Sequence, residues 1–75
     1  MKKFVVIARV GNHNNGVIEC SVKDVELIAE NDNKETLATE YACRPTEYKN
    51  NGKWYSYKIM SRTEARRELK MFNKI

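Results

Sequence analysis

Proline occurs once in the 75 residues, at Pro45, and glycine three times, at Gly11, Gly16 and Gly52. So few breakers exclude a collagen-like or Pro/Gly-rich disordered chain. All four lie between periodic segments, as punctuation. Cysteine occurs twice, at Cys20 and Cys43. With no Cys-x-x-Cys pair or Cys/His cluster, neither a disulfide framework nor zinc-finger spacing is present; the two thiols are expected to be reduced and largely buried, with a single Cys20–Cys43 bridge as the lesser alternative. No apolar run approaches the roughly 18 residues that a membrane-spanning helix needs. The stretch from Met1 to Arg9 starts charged and turns apolar, as a secretory signal does. Arg9 interrupts the run and no small-residue cleavage site follows. A soluble, cytoplasmic protein is the expectation.

Catalytic groups are equally sparse. His13 is the only histidine, flanked by asparagines in what reads as a turn, and no nucleophile is spaced to partner it. The segment Gly11–Gly16 has two glycines but no helix start after it, so it reads as a hairpin loop rather than a phosphate cradle. Carboxylates such as Glu26 and Glu30 belong to a Glu-rich chain and carry no sign of a special environment. Neither a cofactor nor a metal is expected, and the chain reads as a binder rather than an enzyme.

What is present is one domain's worth of periodic sequence. Chains of this size bury roughly 60% of their unfolded surface, so the core is thin. Formal charge is +4, from 14 Lys+Arg against 10 Asp+Glu. That is milder than the usual excess of a dedicated nucleic-acid module. Eight Asn, nine Lys and eight Glu give the composition of an A/T-rich coding sequence, as in small accessory proteins of phages and mobile elements.

Lys3 to Val10 reads as a central strand covered on both faces, because Val5 and Ile7 accompany Phe4, Val6, Ala8 and Val10. Val17 to Lys23 alternates as a second strand after the Gly11–Gly16 turn. Asp24 to Glu30 suits a strand better than a helix. Asp32 and Glu35 have capping-box spacing and predict a helix over Lys34–Cys43 that buries Leu37, Ala38, Tyr41 and Ala42. Asn51-Gly52 predicts a two-residue type I′ hairpin, with Tyr48 opposite Tyr55 and Lys49 opposite Trp54. One face would then carry Tyr48, Tyr55, Tyr57 and Ile59, the other Lys49, Trp54, Ser56, Lys58 and Met60. Ser61 and Glu64 form a second capping box, opening a helix from Arg62 to about Asn73 that buries Ala65, Leu69 and Phe72. The fold class is therefore α+β, a small antiparallel sheet of four to five strands in the order β-β-(β)-α-β-β-α. The simplest packing puts both helices on one face.

Two surfaces are candidates for partner binding. Arg62, Arg66, Arg67, Lys70 and Lys74 put five cations on the last helix, suited to phosphates or to an acidic protein surface. The plainer account is a solvated face with Glu64 paired to Arg67. Trp54 between Lys49 and Lys58 would be a stacking or docking residue if exposed, and a core residue otherwise. The tyrosines read as core residues with hydroxyls at the edge. The functional expectation is a small non-catalytic regulator or inhibitor that binds another macromolecule. A protein partner is favoured, in the manner of a phage or mobile-element anti-defence or host-takeover factor. A small nucleic-acid-binding domain is the alternative, and homodimerisation through an uncovered strand edge stays open.

Overall fold

The computed structural model describes residues 2–41 and 43–74. Its elements are β1 (Phe4–Asn14), β2 (Val17–Ile18), β3 (Asp24–Asn31), α1 (Lys34–Tyr41), β4 (Glu47–Tyr48), β5 (Lys53–Ser61) and α2 (Arg62–Met71). The α+β class and the element order are those expected. The expected Ala42 contribution to the first helix lies outside the described residues, as does Met1 in the apolar opening.

β1 is the spine of the sheet. Along one side it pairs antiparallel with β5, from Phe4↔Ser61 to Asn12↔Lys53. Along the other it pairs antiparallel with β3 and then β2. Flanked on both edges, β1 buries Val5, Val6, Ile7 and Ala8 without a break. That is the pattern of a strand with no water on either face.

The register sorts side chains by parity and fixes where each helix lies. Val5 and Ile7 share a face with Met60, and with Val25, Ala65 and Leu69 they form a buried cluster beneath α2. Val6, Ala8 and Val10 point the other way, with Tyr55 and Tyr57. There Tyr41 of α1 meets Tyr57, ring centroids 6.1 Å apart, and Leu37 is buried. The helices therefore cover opposite faces of the sheet, not one. The cause is the two-sided apolarity of β1, since helices on one face would leave either Val5 and Ile7 or Val6 and Ala8 in water.

Turn chemistry sets the remaining differences. The first reversal is at Asn15-Gly16, both left-handed (φ 51° and 81°), as a type I′ turn requires. Gly11 thus lies inside β1 rather than in a loop. The second reversal does occur at Asn51-Gly52, but over three residues. The Lys49 amide donates to the Lys53 carbonyl (2.8 Å), and only Gly52 of the loop is left-handed (φ 78°). The Asn51 side chain accepts from the Lys53 amide (3.1 Å), which favours the longer loop. The extra residue slips β4 by one, to Glu47↔Tyr55 and Tyr48↔Trp54, and so turns Tyr48 onto the Trp54 face and Lys49 onto the Tyr55 face. Within β3, Ile28 is an extra residue in the ladder against Val6 and Ile7. This bulge keeps Val25 and Leu27 toward α2 while Ala29 faces α1.

The segment expected as a strand to Lys23 stays in the ladder only over Val17–Ile18, and Cys20 and Cys43 are free and exposed rather than buried. Asn33, not Asp32, caps α1, accepting from the Glu35 amide at 2.9 Å. Asp32 instead accepts from the Lys3 amide at 3.0 Å. Ser61 caps α2 as expected, accepting from the Glu64 amide at 3.3 Å. α2 closes with Asn73 left-handed (φ 58°), where the Lys74 amide bonds the Leu69 carbonyl and the Asn73 amide that of Lys70. That is the paired-bond ending of a Schellman motif, with Asn in the place of Gly.

Candidate functional site

The outer face of α2 is the best-formed candidate. Ala65 and Leu69 turn inward, which aims Arg62, Arg66 and Lys70 outward, with Arg67 beside them. Arg66, Arg67 and Lys70 are exposed and Arg62 is half-buried. Among the described residues, no carboxylate comes within ion-pair distance of any of the four, and the Glu64–Arg67 pair does not form. The fifth expected cation, Lys74, is tied to Asp24 at 3.2 Å. Asp24 is held below the usual carboxylate range, first by the Val25 amide and then by Lys74.

The helix carrying these cations is fixed at its middle as well as its ends. Arg9 grips Glu68 through two nearly parallel bonds, Nε to Oε1 at 2.6 Å and Nη2 to Oε2 at 3.0 Å. This forked pairing is the geometrically specific kind, and it raises the Arg9 pKa further. It also neutralises one of the two acids of α2. The sequence held one signal for it: a lone cation on the strand face of Val5 and Ile7 needs a partner from whatever packs there.

A groove runs beside the cations. Between α2 and β3, Val5, Leu27, Ala65 and Leu69 make an apolar floor, with Arg62 and Arg66 on one bank and Glu30 on the other. Its β3 wall is open to water, Leu27 being 49% exposed. This groove went unread in the sequence, because it needs the bulge at Ile28 to bring Glu30 onto the α2 face beside Leu27.

The second surface does not assemble. Trp54 is 8% exposed, its ring lying over Gly11 and its indole N–H donating to the Glu19 carbonyl at 2.9 Å. A stacking or docking Trp54 is thereby corrected to a core residue. Lys49 sits on the opposite face, bonded to Glu47 at 3.1 Å with its ammonium 5.6 Å from the Tyr55 ring. That pair lowers the Glu47 pKa and raises that of Lys49. Lys58 is exposed on the α2 side of the sheet. The three residues therefore form no common surface.

On the α1 face, the Arg44 guanidinium lies over Tyr41 and Tyr57, 5.0 and 5.3 Å from their centroids. Burial, then the nearby Glu47, pushes the Tyr57 phenol up. Tyr48, expected inside, is 54% exposed and meets the edge of His13. His13 Nε2 lies 2.9 Å from the Lys49 carbonyl. A carbonyl only accepts, so the imidazole donates here and ties the two hairpins together. Among the described residues, no group of three or more His, Cys, Asp or Glu is gathered for a metal, and no helix is long and apolar enough to cross a membrane. Comparison with family models, with curated proteins and with solved structures finds no match to this chain.

Proposed function

We propose that this chain is a non-catalytic binding module that docks the outer face of α2 on an acidic surface of another protein and regulates that protein by occupying it. The observation that carries the reading is the set of four cations without carboxylate partners among the described residues, Arg62, Arg66, Arg67 and Lys70, on a short helix capped at both ends. Arg9 and Glu68 hold the helix in place, so the helix backbone is already ordered and the cost left on binding is that of the cationic side chains. A protein is favoured over nucleic acid because Trp54 offers no face for a base and an apolar groove adjoins the cations. Inhibition of a host or defence enzyme is the finer form of the reading, supported by the small size and the Asn/Lys/Glu-rich composition.

The test is a pull-down with the full chain beside its Arg66→Glu/Arg67→Glu variant, before and after nuclease treatment. The expected result is a stoichiometric protein that survives nuclease and is lost with the variant. Capture that disappears with nuclease, together with binding to plain oligonucleotides that falls steeply with salt, would assign the cations to phosphates. Capture that is indifferent to the charge reversal would remove α2 from the account.

A further inference from the structure

We infer that the partner presents one extended acidic segment, which adds as a strand along the outer edge of β3 and sets an apolar side chain into the groove beneath α2. The inference deepens the reading just given and rests on it.

Every ladder partner of β3 is on β1, so among the described residues its outer row of amides and carbonyls faces no strand. Natural edges are commonly blunted by shortness, bulges or inward charges, and β3 carries the bulge at Ile28 and Glu30 on the α2 side. Even so, it runs eight residues and exposes Leu27 and Ile28 at 49% and 38%. Beside it the groove floor is already built, with Val5 at 3%, Ala65 at 1% and Leu69 at 9% exposure. A strand added here gains main-chain bonds from β3 and sends alternate side chains toward α2. An aliphatic or aromatic side chain fits over Leu27 and Val5. A side chain two residues away on the same face reaches the bank of Arg62 and Arg66, where a carboxylate meets cations that form no ion pair among the described residues. Glu30 on the opposite bank disfavours a second carboxylate there. The preferred segment is thus patterned, not merely acidic. A polyanion backbone matches the cations but brings nothing for the floor.

The test is selection from a random-peptide display library on the immobilised full chain, followed by fluorescence anisotropy with the winning peptide. Enriched sequences should pair Asp or Glu with one Leu, Ile, Phe or Met at alternating positions. Leu27→Glu and Arg66→Glu should each weaken the peptide about tenfold or more. N-methylation of the peptide amides that face β3 should abolish binding, while methylation of the alternate set should not. The methylation arm alters only the peptide, so it decides the matter even if Leu27→Glu fails to fold. Acidic winners without an apolar residue, or winners insensitive to Leu27→Glu and to both methylation patterns, would overturn the groove while leaving the basic face of α2 intact. Winners that lose affinity under either methylation pattern would point to a helix in the groove and overturn strand addition. Apolar winners indifferent to Arg66→Glu, or no enrichment at all, would overturn both readings.

Discussion

Gly11 has the Trp54 ring where a side chain would begin, and a Cβ there would fall inside the ring's van der Waals envelope. Gly11→Ala is expected to destabilise the fold by about 1–3 kcal/mol, the usual range for overpacking, seen as a lower urea midpoint. The Trp54 emission should shift to the red as the ring is pushed toward water. A second residue-scale expectation concerns acid. Asp24 is depressed in the folded state by the Val25 amide and Lys74. Its contribution is therefore present above the unfolded value of about 3.9 and fades as pH falls through the folded value. Asp24→Asn keeps an acceptor for Val25 but loses the charge. It should lower the melting temperature slightly at neutral pH, with the gap to the parent closing below about pH 4 in a pH series. Whether Trp54 or the tyrosines faced inward was not legible at this scale. Alternation along 53–60 says which residues share a face, not which face α2 will cover.

Element boundaries were legible where one dipeptide or cap decides them. Ser61 and Glu64 mark the start of α2, and the hairpin at Asn51-Gly52 is where the sequence puts it. The register around that hairpin was not legible. A two-residue and a three-residue loop differ by whether Asn51 turns left-handed, and its side-chain bond to the Lys53 amide tips that balance. Asn15-Gly16 carries the same dipeptide and does form the tighter turn, so the signal for the first reversal was on view. At the far end of α2, Asn73 holds a left-handed backbone that glycine adopts with less strain. Asn73→Gly should stabilise by a few tenths to about 1 kcal/mol, and Asn73→Ala should destabilise by a similar amount. Chemical denaturation of the three proteins gives the ranking directly.

For the molecule as a whole, the layering follows from β1. A strand apolar on both faces asks for a helix above and a helix below, and Val5 and Ile7 beside Val6 and Ala8 already implied this. Placing both helices on one face overlooked that demand. The two layers are unequal. α2 buries Ala65 and Leu69, is capped at both ends and is gripped by Arg9, whereas α1 buries Leu37 within eight residues. Native-state hydrogen exchange should therefore show α1 amides opening well before those of α2, with the amides of β1 that bond β5 slowest of all. Equal protection in the two helices would mean that the Leu37 layer is stronger than its contacts imply. The candidate site was half legible: the cations of α2 stood out as a run, but the Glu30 bank of the groove beside them depends on a one-residue bulge that no periodicity announces.

The pairing of Phe4 with Ser61 also has a consequence for biosynthesis. The most continuously buried strand, β1, is translated well before β5, the neighbour that shields its second edge. Until then Val6 and Ala8 wait beside a row of unsatisfied amides, the kind of exposure that recruits chaperones or other nascent chains. A message truncated upstream of Lys53 would release a product with that edge permanently bare, destined for clumping or proteolysis rather than for a smaller version of the same fold.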